Sequence, residues 1–386
     1  VASSEQGPEP TLPGLQGAFW CALILGAASL AGCSRSHQQS LTLSGEALGT
    51  QWVVVLSKTP KDLAPQALQT AVEAQLDRLN QVASDWIPDS ELSRLNAWLA
   101  AGLPRPSMQL SPELTGLLST SDQAHGSTAG CFDPTVGELV WALGFGSKAR
   151  PEPLTAGPEL EAIQARLGWP RLHFDAASGT LDPEPGAAQA LDLSGVAKGA
   201  AVDWVAAELE RLGCRDFLVE VGGELVLRGQ SPRGDLWRQG VDKPTSDPQA
   251  AREPALRFAC TGRGVATSGD YRQWQQVDSE RFSHVVDPRV GQPARSKVAS
   301  VTVLAPTCAL ADAFATGLMV LGSDAGLKAL QAIPGIEALF MEYGAGELLR
   351  LSASPGFPQI ELAPEFKRLV AEPWPAQIQP GPAASR

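Results

Sequence analysis

The sequence predicts an α+β fold, a single catalytic domain of mixed sheets flanked by helices, and three observations carry that expectation. Apolar residues recur at helical spacing in two stretches: Leu68, Val72, Leu76, Leu79 and Ala83 within 63–84, and Ala201, Val202, Val205, Leu209 and Leu212 after Lys198. VASVTVL at 298–304 is a β-branched run suited to a buried strand. FLVEVGGELVLRG at 217–229 sets a Gly-Gly pair between two apolar runs, which signals a hairpin. An apolar content of 44% over 386 residues is ample for a packed core, and no linker divides the stretch 40–368. With 42 acidic against 30 basic residues the net charge is −12, which argues against nucleic acid as a partner and against a polybasic membrane patch.

The first 33 residues stand apart. GAFWCALILGAASLAGCSRS offers an uncharged apolar run from Ala18 to Leu30, then Leu30-Ala31-Gly32-Cys33. The run is short for a transmembrane helix and suits a secretory signal. It resembles the bacterial lipoprotein signal, in which the last cysteine, here Cys33, is diacylated and becomes the first residue of the mature chain. One departure is the absence of Lys or Arg before Arg35, where such signals carry a basic segment. The expected organisation is a signal peptide at 1–33, a catalytic domain at 34–370 and a Pro-rich tail at 371–386. The expected location is the periplasmic side of a bacterial envelope, with the chain held to the membrane through lipid. Cys131, Cys214, Cys260 and Cys308 show no CxxC spacing, so they read as small core residues rather than zinc ligands.

Within the domain, LTLSGEALGTQWVVVL (41–56) alternates around Gly45 and Gly49 as two strands near a turn. The helix at 63–84 ends before Pro88, and Asp89 or Ser90 can cap the next one. Ser111-Pro112 starts a helix over 111–126, and the proline-bearing stretch 147–160 reads as loop. A turn at Ser178-Gly179 separates two short strands. The helix from Lys198 closes at Gly213, residues 243–254 form a surface loop, and TCALADAFATGLMVLG (307–322) is a helix ending at Gly322. IEALFME and ELLRLS complete the sheet.

Four polar, glycine-bearing stretches can carry chemistry. Asp133, before Pro134-Thr135, caps a helix start or contacts a ligand. In LDLSGVAKGAAVDW (191–204), Asp192 caps or accepts from a ligand, while Lys198 lies in a first helical turn, where a cation opposes the helix dipole. That lysine needs a compensating anion, and a phosphate at the helix start would supply it. The spacing is not that of a P-loop. His284, in RFSHVVDPRVGQP, taken alone is more often a satisfied polar residue than a catalyst. Asp312 and Thr316 lie at i and i+4 on one helical face, a carboxylate and a hydroxyl suited to a hard cation such as Mg²⁺. The alternative is a Thr316 bonded back to its own helix and a solvated Asp312.

Seven stretches, SDWIPDSELSRLN, GCFDPTVGELVWALGFG, LDLSGVAKGAAVD, LVEVGGEL, VATSGDY, SHVVDPRVGQP and SVTVLAPTCALADAFATGLMVLG, resemble in order the motifs of the ApbE family of FAD:protein FMN transferases. The resemblance runs from Ala47 to Gly322 and continues weakly to Leu351. It implies transfer of FMN from FAD to a threonine or serine hydroxyl of an acceptor protein, with Mg²⁺ as cofactor and AMP released. It implies Mg²⁺ ligands at Asp312 and Thr316, aided by the carbonyls of Gly195 and Ala315. It implies FAD contacts at Leu48, Trp86, Cys131, Phe132, Asp133, Asp192, Lys198 and Val286. His284 becomes the candidate base, with Asp287 orienting it. Family acceptors include exported subunits of the sodium-pumping NADH:quinone oxidoreductase and of Rnf complexes. Two alternatives stay open: an FAD pyrophosphatase giving FMN and AMP, and a lipoprotein that stores FAD without turnover.

Overall fold

Eight strands form the central sheet and follow one another across it in chain order: Leu41–Ala47, Thr50–Leu56, Phe217–Val221, Glu224–Arg228, Arg263–Gly269, Val298–Ala305, Glu337–Tyr343 and Leu349–Ala353. Each pairs antiparallel with the next. The computed structural model describes residues 40–102, 107–154, 156–245, 253–269, 274–277, 280–283, 285–344 and 348–378. The α+β class therefore holds. Its sheets are antiparallel ladders, and two isolated bridges, Leu349 to Val370 and Ile360 to Ile378, are parallel.

The helices occupy two excursions from this meander. The first, between Leu56 and Phe217, carries α1 (Pro65–Ala83), α2 (Glu91–Ala100), α3 (Pro112–Ser127), α4 (Gly137–Ala142), α5 (Pro158–Gln164) and α6 (Ser194–Arg211). The second, between Ala305 and Glu337, carries α7 (Cys308–Leu321) and α8 (Ser323–Leu330). Caps foreseen in the sequence are present: Ser90 Oγ accepts from Ser93 N–H, and Ser111 Oγ accepts from Leu114 N–H. The loop expected over 147–160 gives way to α5 at Pro158, a proline suited to a first helical turn.

The sheet is buried on both faces, so three layers form. Val54, Leu56, Val226, Val301, Val303 and Phe340 face α1, α6 and α7, while Val55, Leu225, Leu227, Leu304, Leu339 and Met341 face the other way. That alternation is the period-two pleat. The second face is covered by a three-stranded sheet of Trp237–Asp242, Pro254–Cys260 and Ile360–Leu362, which the sequence reading did not anticipate. Its strands carry Arg238, Gln239, Gly240 and Arg257, which dilute the apolar alternation to the point of illegibility.

The segment expected as a tail from 371 packs where it is described. Ile378 is buried in the core under the small sheet, and Gln377 Nε2 donates to the Ser354 carbonyl at 2.8 Å. One aliphatic anchor, the partly buried Trp374 and an internal hydrogen bond outweigh the proline content as a guide to order. Residues 379–386, the signal-like segment 1–33 with Cys33, and most of the loop at 243–254 lie outside the described residues.

α7 is apolar nearly all round and lies wedged between α6 and the sheet. Glycines make that close approach possible. A Cβ on Gly199 of α6 would stand 2.3 Å from the Cys308 carbonyl oxygen, and one on Gly264 would stand 2.3 Å from the Cys308 nitrogen. The first-turn donors of α7 are all engaged. Cys308 N–H and Ala309 N–H donate to the two oxygens of Asp203 at 2.8 and 2.9 Å, Leu310 N–H donates to Thr307 Oγ1, and Ala311 N–H to the Thr307 carbonyl. Burial pushes the Asp203 carboxyl up to about 6, against the pull of those two amides, so it is ionised at neutral pH. Asp203→Ala orphans both donors and is expected to cost about 2 kcal/mol, read as a lower urea midpoint with an unchanged m-value.

Candidate active site

The crossing of α6 and α7 places a cation between two buried carboxylates. Lys198 Nζ lies 3.3 Å from Glu224 Oε1 and 3.7 Å from Asp312 Oδ1. Both carboxylates are almost wholly enclosed, at 4% exposure for Glu224 and 2% for Asp312. Lys198 comes from the second turn of α6, Glu224 from the first residue after the Gly222-Gly223 turn, and Asp312 from the middle of the wedged helix. The lysine stem passes close to Gly222, where a Cβ would stand 3.5 Å from Lys198 Cδ. That glycine, at φ 63°, also keeps the hairpin tip against Thr50.

Charge and burial oppose each other here. Burial disfavours the Lys198 ammonium, but Asp312 and Glu224 overcome it and hold the lysine above its ordinary pKa. Burial raises the Asp312 carboxyl, with Lys198 and the Gly199 N–H pulling the other way. Burial likewise raises Glu224, while the ammonium 3.3 Å away favours its carboxylate form. Glu224 Oε2 has no hydrogen-bond partner, and it is one of three such buried side-chain atoms among the described residues.

Asp312 and Thr316 do share one face of α7, and the solvated-carboxylate alternative is overturned because Asp312 lies inside the protein. Asp312 Oδ2 accepts from Gly199 N–H at 3.0 Å, which ties the carboxylate to the second turn of α6. Gly195 in turn faces Thr316: a Cβ there would stand 3.0 Å from Thr316 Oγ1 and 3.1 Å from Phe132 Cε2. Asp312, Thr316, Gly195 and Phe132 thus meet at one place. Ala315, fully buried beside Thr316, has only its backbone carbonyl to offer.

Other residues singled out in the sequence surround this point or brace it. Asp192 is half-buried and accepts from Ser194 N–H at 2.7 Å. Burial raises its pKa, and Asp85 is close enough to add to the rise. Asp85 accepts from Ser147 Oγ at 2.6 Å, so the Trp86 loop approaches the α6 start; Trp86 itself is 70% exposed. Leu48, at φ 55°, forms the hairpin tip with Gly49 and is half-buried against the main core. Cys131 is buried and its thiol is pushed up to about 11 by that burial, with Arg289 and Asp287 as its charged neighbours.

Three assignments change character. The Asp133 carboxylate is filled by protein donors: Thr135 N–H and Oγ1 at 2.8 and 2.6 Å, and Trp169 N–H at 3.1 Å. It serves the capping role that was the alternative reading, so any ligand contact at this residue falls to its backbone. Val286 sends its side chain into a satellite core with Leu139, Leu143 and Ile163. Asp287 is held by Arg289, whose Nε and Nη2 donate at 2.9 and 2.7 Å. His284 lies outside the described residues.

The anion demanded by Lys198 is Glu224 together with Asp312, where the sequence reading supplied a phosphate. Glu224 and Arg289 were missed, although both lie inside quoted motifs. A glutamate directly after a turn glycine, in an otherwise apolar strand, was the available signal for the first.

Among the described residues no three His, Cys, Asp or Glu side chains group to hold a metal. The available donors are one carboxylate, one hydroxyl and backbone carbonyls, an all-oxygen set that suits a hard cation completing its shell with water and phosphate. They fit Mg²⁺ and not zinc.

The chain matches the model of the ApbE family over residues 48–340. It is 34% identical over 339 residues to the FAD:protein FMN transferase of Vibrio cholerae, spanning 87% of this chain and 98% of that one. It is 36% identical to the FAD:protein FMN transferase of Klebsiella pneumoniae, over 87% of this chain and 94% of that one. Among solved structures it is similar to the flavin transferase ApbE from Vibrio cholerae, with a TM-score of 0.73 and coverage of 83% and 98%. It is also similar to the apo flavinyl transferase ApbE of Pseudomonas stutzeri, with a TM-score of 0.71 at 30% identity, covering 82% of this chain and 95% of that one.

Proposed function

We propose that this chain, which belongs to the ApbE family, transfers FMN from FAD to a threonine or serine hydroxyl of an acceptor protein and releases AMP. The observation that carries the reading is the Lys198–Glu224–Asp312 cluster, both carboxylates buried and the lysine partly exposed, facing Thr316 and Gly195. Two buried carboxylates around one ammonium have no purpose in packing alone, since an apolar core would be at least as stable.

Asp312 and Thr316 would hold Mg²⁺, with the Gly195 and Ala315 carbonyls assisting. The Gly199 N–H supports this, because it holds the Asp312 carboxylate against the first turns of α6, where Gly195 lies. Bound there, the ion would neutralise a diphosphate that an acidic chain cannot otherwise accept. The exposed indole of Trp86 offers a flat apolar face for a ring of FAD. Leu48, Cys131, Phe132, Asp133, Asp192, Lys198 and Val286 line or brace the FAD site through backbone or side chain.

In the transfer the acceptor oxygen bonds to the FMN phosphorus, the anhydride P–O bond breaks, and AMP leaves with the electron pair. His284 takes the hydroxyl proton. Its neighbour Asp287, fixed by Arg289, anchors the turn that follows and so positions the histidine's segment. His284→Ala is expected to leave the FAD dissociation constant within twofold and to slow transfer about a hundredfold. Equal transfer rates would remove the histidine from the chemistry.

The deciding experiment combines protein, FAD, Mg²⁺ and a domain bearing an FMN-acceptor threonine. A flavin-fluorescent acceptor on a denaturing gel supports transfer; AMP without labelling indicates hydrolysis; FAD binding with neither indicates storage. The proposed acceptors are exported subunits of sodium-pumping NADH:quinone oxidoreductase or Rnf complexes. With Cys33 as the lipidated residue, the enzyme would meet them at the periplasmic face of the membrane, and mass spectrometry of the membrane-extracted N-terminus tests that anchor.

A further inference from the structure

We infer that Glu224 is a positioning residue that receives Lys198 when a divalent cation takes Asp312, and thereby sets the cation affinity of the site. This rests on the reading above that Asp312 holds the metal. In the present arrangement the ammonium is shared, 3.3 Å from Glu224 Oε1 and 3.7 Å from Asp312 Oδ1. The two contacts cannot both survive cation binding, because a divalent ion on Asp312 repels a neighbouring ammonium.

Of the directions open to Lys198, whose side chain is one-third exposed, Glu224 is the one that offers a charge partner. Glu224 Oε2 is buried, unpartnered and part of the same carboxylate that already accepts the lysine. An orphaned buried carboxylate oxygen is costly in a finished structure and is explained if a donor arrives in another state. The flexible four-carbon stem of lysine allows the shift, and Asp312 keeps its anchor on the Gly199 N–H throughout. Lys198 thus competes with the metal for Asp312 and moves onto Glu224 when the metal binds. Deleting the Glu224 charge leaves the lysine with Asp312 alone, so the cation must displace a more firmly held ammonium.

The test is a double-mutant cycle on the full chain, read as Mn²⁺ affinity by electron paramagnetic resonance without FAD, with thermal melts confirming folding. Glu224→Gln is expected to weaken Mn²⁺ binding about tenfold with lysine present and by less than twofold in the Lys198→Met background. Lys198→Met alone is expected to bind Mn²⁺ at least as tightly as the wild type. An equal loss in both backgrounds means that Glu224 acts on the cation directly and overturns the inference, as does no loss in either. Should a variant fail to fold, crystals of the wild type with and without Mn²⁺ decide: the lysine nitrogen must move onto both Glu224 oxygens, and its remaining at Asp312 overturns the inference. Wild-type binding of Mn²⁺ that Asp312→Asn leaves unchanged would instead remove the metal reading itself and this inference with it.

Discussion

Asp312→Asn is expected to lower kcat/KM for FMN transfer about a thousandfold while leaving the protein folded. The amide keeps an oxygen for the Gly199 N–H, so the contact that joins α6 to α7 persists. What disappears is the one buried charge that the proposed cation site owns, and Lys198 is left to pair with Glu224 in a neutral couple. The loss belongs to the cation, so Mn²⁺ affinity must fall with activity, whereas the melting temperature should change little. A variant that retains transfer within tenfold of the wild type would place the metal elsewhere.

Gly199→Ala should act on the same junction through shape. Its Cβ would meet three backbone atoms of the facing helix: the Cys308 oxygen at 2.3 Å, the Cys308 carbonyl carbon at 2.6 Å and the Ala309 Cα at 2.7 Å. Backbone cannot rotate aside as a side chain can, so α6 and α7 must separate. Overpacking of this severity is expected to cost about 3 kcal/mol or more and to lower Tm by roughly 10 °C. Separation also pulls Gly199 N–H from Asp312 and Asp203 from the α7 start, so activity at permissive temperature should fall as well. A thermal melt coinciding with that of the wild type would show that the helices are not in the contact described.

How far the sequence could be read depended on whether a residue's meaning is local. The caps at Ser90 and Ser111, the Gly222-Gly223 hairpin and the helices α1, α6 and α7 follow from neighbours within a few positions, and each was legible. The small sheet was not, because Trp237–Asp242 owes its place to the apolar face of another sheet rather than to its own alternation. At the site, the i, i+4 geometry of Asp312 and Thr316 was visible because one helix sets it. The partner of Lys198 was invisible: Glu224 reaches it only through the crossing of a hairpin and a helix, and no spacing in the sequence encodes that distance. Thr316 and Gly195 were joined beforehand by family resemblance alone, and the close helix approach gives that pairing a physical basis.

The closure of the α7 start has a thermodynamic consequence for ligand binding. Its four leading amides are spent on Asp203 and Thr307, so the positive end of this helix offers a phosphate nothing. The lysine nearby is already neutralised by two carboxylates. A diphosphate therefore finds little attraction until a divalent cation accompanies it, and the cation finds its shell incomplete until phosphate oxygens arrive. If Mg²⁺ is held as proposed, their affinities are coupled, and reciprocity requires the factor by which Mg²⁺ tightens FAD to equal the factor by which FAD tightens Mg²⁺. With the proposed ion at Asp312, nucleotide and ion would strengthen each other's binding, and chelation should weaken the hold on both together.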